Sequence, residues 1–183
     1  MIDFFIHYKV IFTILHVLTV VVGMGSALVS DLLFNFFSQD KYLDTGEQKT
    51  LNFLSSIVWY SLIGIILSGI AIFSSNIPKY LNSEKFLLKM GIMMILLVNG
   101  YIIHRYISPF MAKRNFLTAV KQKTHRRIAF ICGAVSVSSW VIICILGMLS
   151  ALPVSLPIGI VIYFGIIITG SIVALIVEGQ TFR

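Results

Sequence analysis

Five long apolar runs separated by short polar links set the pattern of this chain: Val10–Phe37, Leu51–Phe73, Phe86–Phe110, Ile128–Leu149 and Pro157–Val177. Crossing the hydrocarbon of a bilayer takes about 20 helical residues at about 1.5 Å each. Every run meets that length. A backbone inside hydrocarbon has no water to bond, so each run must close its own hydrogen bonds as a helix. The pattern therefore predicts an all-α integral membrane bundle of five transmembrane helices, in one domain covering residues 1–183.

The polar positions inside the runs carry the next layer of information. A helix turns about 100° per residue. On that wheel Phe12, His16, Val20, Gly23, Ala27, Ser30 and Phe34 share one stripe of the first run, flanked by Thr13, Thr19 and Asp31. Gly23, Ala27 and Ser30 make the middle of the stripe small, which lets a second helix approach closely. The stripe is the expected packing face, and it points His16 into the bundle. A charged carboxylate at the bilayer centre costs about 2.5–3.5 kcal/mol, so an ionisable group here marks either a packing partner or a functional site.

The links read as caps and turns. In SQDKYLDTGEQKT, Asp44 or Thr45 suits the N-cap of the second helix, with Glu47 and Gln48 in its first turn. Ser83 precedes Glu84 as an N-cap for the third helix, and Pro157 suits a first helical position. The link 111–127 differs, because Lys113, Arg114, Lys121, Lys123, Arg126 and Arg127 crowd into it. Short cytoplasmic loops collect Lys and Arg, so this loop is expected inside, the N-terminus outside and the C-terminus in the cytoplasm. Phe110, Leu117 and Val120 give the loop a narrow apolar face, which fits a solvated topogenic loop better than an interfacial helix. Glu178, at the end of the fifth run, is expected among the inner headgroups.

Composition agrees with this reading. Of 183 residues, 58% are hydrophobic and 11% charged, which excludes an ordinary soluble domain and disorder. The net charge of +7 is concentrated in one loop, as membrane topology requires, and gives no reason to invoke nucleic acid. Cys132 and Cys144 lie in one run, about 18 Å apart along a helix, too far to pair with each other. The start MIDFFIHYKV carries Asp3 and no basic n-region, so a retained N-terminus is expected. No Gly-rich phosphate loop, HExxH or CxxC occurs.

Depth then limits which polar groups meet. His16 lies about 9 Å and Lys89 about 4.5 Å from the outer edge of their helices, so the two share an outer tier. His104 lies about 27 Å in, at the inner end of the third run, level with Asp31 and Arg105. An inner-tier ion pair between Asp31 and His104 or Arg105 is expected. A haem held between His16 and His104 is rejected, because the rings differ by roughly 18 Å in depth. A single axial ligand at His16, a metal-ligating histidine, remains open, with Lys89, another weak ligand or nothing opposite.

The residues FTILHVLTVVVG around His16, and KFLLKMGIMMILLVNGYIIHRY with Lys89 and His104, resemble the HemJ-type membrane protoporphyrinogen oxidases and the related CopD-like membrane proteins. The resemblance covers the first four runs. It implies that His16 and Lys89 form the functional pair and that the cofactor is haem b. The chain departs from that pattern in lacking a tryptophan after His16 and in ending its first run with SDLLFNFF.

The expectation is thus a membrane protein of the bacterial inner membrane that binds haem b through His16 and Lys89 for redox chemistry. Its partners are the bilayer and a homo-oligomer or electron-transfer partner. Two alternatives stand beside it. One is a copper or proton transport module, with His16, Asp31 and His104 along a path. The other is a non-catalytic structural subunit of a membrane complex.

Overall fold

The computed structural model describes residues 2–38, 43–111 and 123–181. Eight α-helices account for nearly all of them, with no strand among the described residues. A short α1 (Ile2–His7) leads into α2 (Lys9–Phe37), followed by α3 (Thr45–Ser74) and a one-turn α4 (Ile77–Leu81). Next come α5 (Glu84–Ile102), a π-helical turn over Ile103–Ile107, and α6 (Ser108–Met111). The chain ends with α7 (Lys123–Met148) and α8 (Leu156–Thr181). Five of these helices are long and apolar enough to cross a membrane: α2, α3, α5 with its π turn, α7 and α8. The chain is an integral membrane protein by that criterion. The side chains of the basic loop's apolar face lie outside the described residues.

Local chemistry sets the helix ends. Asp44 accepts from the Glu47 backbone N–H at 2.8 Å, and Glu47 Oε2 accepts from the Asp44 N–H at 2.8 Å, a reciprocal capping box. Ser83 takes the Phe86 N–H, and Asn76 takes the Lys79 N–H.

The wheel drawn from the sequence describes how α2 packs. Gly23 and Ala27 are its buried residues, and Phe12, His16, Val20, Ser30 and Phe34 are half-buried. Its main partner is α3, which returns alongside it. A Cβ placed on Gly23 would lie 2.8 Å from Ser61 Cβ and 2.9 Å from Trp140 Cη2. A Cβ on Gly64 would lie 2.7 Å from Thr19 Cγ2. Both positions need glycine because the two helix axes come too close for a methyl group. The centre of the bundle is Ala27, Leu62, Ile65, Leu96 and Trp140, drawn from α2, α3, α5 and α7. A second cluster around Leu88, Ile92, Leu146 and Tyr163 joins α5, α7 and α8. The α2 and α8 helices each pack against α7 rather than against one another.

The two ends of the bundle are tied differently. At the end carrying the basic loop, Arg126 Nε donates to Glu178 Oε1 at 2.6 Å, and Arg127 Nε lies 3.5 Å from Glu178 Oε2. Glu178 is only 2% exposed, so it is enclosed between the helix ends and paired there rather than solvated. The pairing has a simple cause. Arg126 opens α7 and Glu178 closes α8, and in an antiparallel pair these positions share one depth. At the far end, Lys85 Nζ donates to the Leu149 carbonyl at 2.6 Å, and Glu84 Oε2 accepts from the Leu156 N–H at 3.0 Å. A cation thus sits at the C-terminus of α7 and an anion at the N-terminus of α8, each complementing the helix dipole.

Candidate functional site

The far half of the bundle holds the His16 constellation. His16 Nδ1 is 2.9 Å from Ser68 Oγ, which also donates to the Gly64 carbonyl at 2.6 Å. The ring lies against α3, its Cε1 3.6 Å from where a Cβ on Gly69 would stand. Lys89 is half-buried on α5, three residues after Phe86, whose ring stacks on Phe73 of α3 at 5.5 Å between centroids, five residues beyond Ser68. The structure therefore brings His16 and Lys89 to one tier, on separate helices. No group of three or more His, Cys, Asp or Glu residues suited to a metal ion occurs among the described residues.

The basic half holds Asp31. One of its oxygens, Oδ2, is shut off from the surface with no hydrogen-bond partner. The other, Oδ1, stands 3.2 Å from where a Cβ on Gly133 would be, so the carboxyl group lies against the backbone of α7. The inner-tier ion pair expected from depth is not formed. His104 and Arg105 are both exposed, and His104 lies edge-on to Trp59 at 6.4 Å between ring centroids. Depth alone had placed them level with Asp31, but angle keeps them apart. The buried face of α5 runs through Leu88, Ile92, Leu96 and Asn99. His104, five residues beyond Asn99, is about 140° round the helix from it. The π turn then brings Ile107 back inward, where it is 1% exposed.

Asp31 lies in the wall between two cavities, together with Phe34, Ala129 and Gly133. The smaller, about 130 Å³, sits among α2, α3, α5, the π turn and α7. It is lined in part by Ser30, Asn52, Ser55, Asn99 and Ser136. That is ample for water, and the cavity has polar groups to hold it. The larger cavity, about 720 Å³, is an open-sided groove between α2 and α8 floored by α7. Its walls are mostly apolar, with Asn35, Ser138 and Thr169 as the other polar side chains. No Lys, Arg or His lines either cavity.

Two further buried polar pairs cross between helices. Asn99 Nδ2 donates to the Cys132 carbonyl at 3.0 Å, and Ser139 Oγ lies 2.8 Å from Tyr163 Oη. Trp140 and Tyr163 are core residues, 2% and 3% exposed, rather than an interfacial belt. Cys132 and Cys144 are both free thiols.

No family model, no curated protein and no solved structure matches the chain.

Proposed function

We propose that the protein is a cation-handling membrane module, carrying a proton in its simplest form, with Asp31 as the working group. One observation carries this reading: a carboxylate oxygen buried at membrane depth, with no partner, beside a cavity able to hold water. An unpaired buried acceptor costs about 1–3 kcal/mol, and more when charged. Intramembrane acids that remain despite such a cost mark ion or proton pathways. The polar side chains that surround Asp31 can pass a proton through water toward the basic end. Toward the far end, Ser61, Ser68 and His16 continue the polar seam along the α2–α3 contact. The test is proton flux into liposomes that contain the purified chain. Flux should be present with wild type and absent with Asp31→Asn. Equal flux in both proteins would remove the proposal.

A second reading has its own supporting observation. Ser68 occupies His16 Nδ1, which fixes the ring and leaves Nε2 as the nitrogen that would hold a metal. As donor chemistry, His16 with Lys89 nearby fits haem b, in keeping with the HemJ/CopD resemblance. Haem would supply one-electron redox chemistry when bound. Ser68 would orient the ligand and Lys89 would meet a propionate. Neither described cavity reaches His16 or Lys89, so this reading ranks second. A visible spectrum of protein expressed with haem supplied decides it. A Soret band lost in His16→Ala but kept in His104→Ala supports it, and a colourless wild type removes it. Residence in a bacterial inner membrane, with the basic loop cytoplasmic, belongs to both readings.

A further inference from the structure

The groove between α2 and α8 has a shape and a chemistry that the proton reading does not use. Its volume of about 720 Å³ is far more than a proton or a few waters need. That volume falls in the range of small-molecule sites, about 300–1,000 Å³, and its lining has the same character: apolar walls and a few polar groups. The α2 and α8 helices do not close over it, and both present apolar side chains outward. In a membrane the open side therefore faces the acyl chains, and a ligand enters sideways from the bilayer. The charged group at the groove is Asp31, and no cation lines the walls to neutralise it.

We infer that this groove binds a lipophilic organic cation drawn from the bilayer, with Asp31 as its counter-ion and the α7–α8 surface around Gly133 and Gly165 as its apolar seat. Charge complementarity selects this occupant. A lipid tail would fill the apolar volume and leave the carboxylate unpaired. A neutral apolar molecule would do the same. A positive charge at membrane depth is tolerated only beside an opposite charge, so an amphiphilic cation and this carboxylate each solve the other's desolvation problem. Gly165 leaves the seat open, since a Cβ there would meet nothing within 4 Å.

The inference rests on the proposal that Asp31 is a cation-binding carboxylate, and it names the class of cation. The probe is tetraphenylphosphonium, added to the purified full chain in lipid nanodiscs and measured by equilibrium dialysis. Saturable binding of one cation per chain is expected. Asp31→Asn should weaken it at least tenfold. Gly165→Phe, which keeps the carboxylate and fills the groove, should weaken it at least tenfold as well. Neutral tetraphenylmethane should not compete. The inference is overturned if wild type shows no saturable binding, if either variant binds as wild type does, or if the neutral analogue competes equally. It is also overturned if the chain runs as a dimer that binds no probe, because a second copy then occupies the groove. Asp31-dependent proton flux without probe binding removes the organic cation and leaves the proton reading. Asp31-dependent binding without flux supports the inference and removes transport.

Discussion

Consider the removal of charge from Glu178. Its carboxylate is 2% exposed and takes the Arg126 Nε–H at 2.6 Å, and the Arg126 side chain is itself only 8% exposed. Breaking such a buried pair by removing one member typically costs about 3–5 kcal/mol. Glutamine keeps one acceptor oxygen for the Arg126 N–H, so Glu178→Gln belongs at the lower end, about 3 kcal/mol. Arg127 contributes differently. Its side chain is 50% exposed and its Nε is 3.5 Å from the carboxylate, so water screens the pair. Arg127→Gln should cost less than about 1 kcal/mol. Replacing both buried charges, as in Arg126→Met with Glu178→Leu, should recover most of the loss, because the desolvation cost of both charges goes with them. Unfolding of the purified proteins in mixed micelles by titrated denaturing detergent measures these three variants and Arg126→Gln on one scale. The reasoning is refuted if Glu178→Gln unfolds with wild type, or if Arg127→Gln costs as much as Arg126→Gln.

Asp31 should behave in the opposite sense. Asp31→Asn removes an unpartnered buried charge and should stabilise the bundle by about 1–3 kcal/mol in the same titration, while abolishing activity. Gly23→Val drives a side chain into Ser61 and Trp140 and should cost at least about 1–3 kcal/mol, read as a lower melting temperature. Asp44→Ala removes the capping box of α3 and should cost about 1 kcal/mol by the same melt. Lys85→Met uncaps the α7 carbonyls and should speed hydrogen exchange in the Leu149–Leu156 link, with little change at the basic end.

What could be read from the sequence was what depends on one helix at a time. Span positions follow from run length, the α2 packing face from its small-residue stripe, and the α3 cap from Asp44 and Glu47. The Ser68 partner of His16 was also within reach, because a histidine on a packing face needs a hydroxyl or carbonyl to meet. Contacts between helices were harder. The Arg126–Glu178 pair had a signal, since both residues flank the same short hairpin at its basic end, but it requires knowing that α7 and α8 pack in antiparallel register. The expected pairing of Asp31 with His104 or Arg105 failed because depth was matched without angle. Asn99 is the residue that fixes the buried face of α5, and nothing in its neighbourhood announces the π turn that follows. The cavities were illegible for the same reason. The larger lies where α2 and α8 both lean on α7 and the smaller among α2, α3, α5 and α7, and no single helix encodes a gap between others.

The account stands on the claim that the unpartnered carboxylate of Asp31 is kept for work rather than for structure. Proton flux into liposomes, with wild type, Asp31→Asn and Arg105→Gln reconstituted at equal folded amounts, tests that claim most directly. The account predicts flux for wild type and Arg105→Gln and none for Asp31→Asn. Flux that survives in Asp31→Asn, or that is absent from all three, contradicts it.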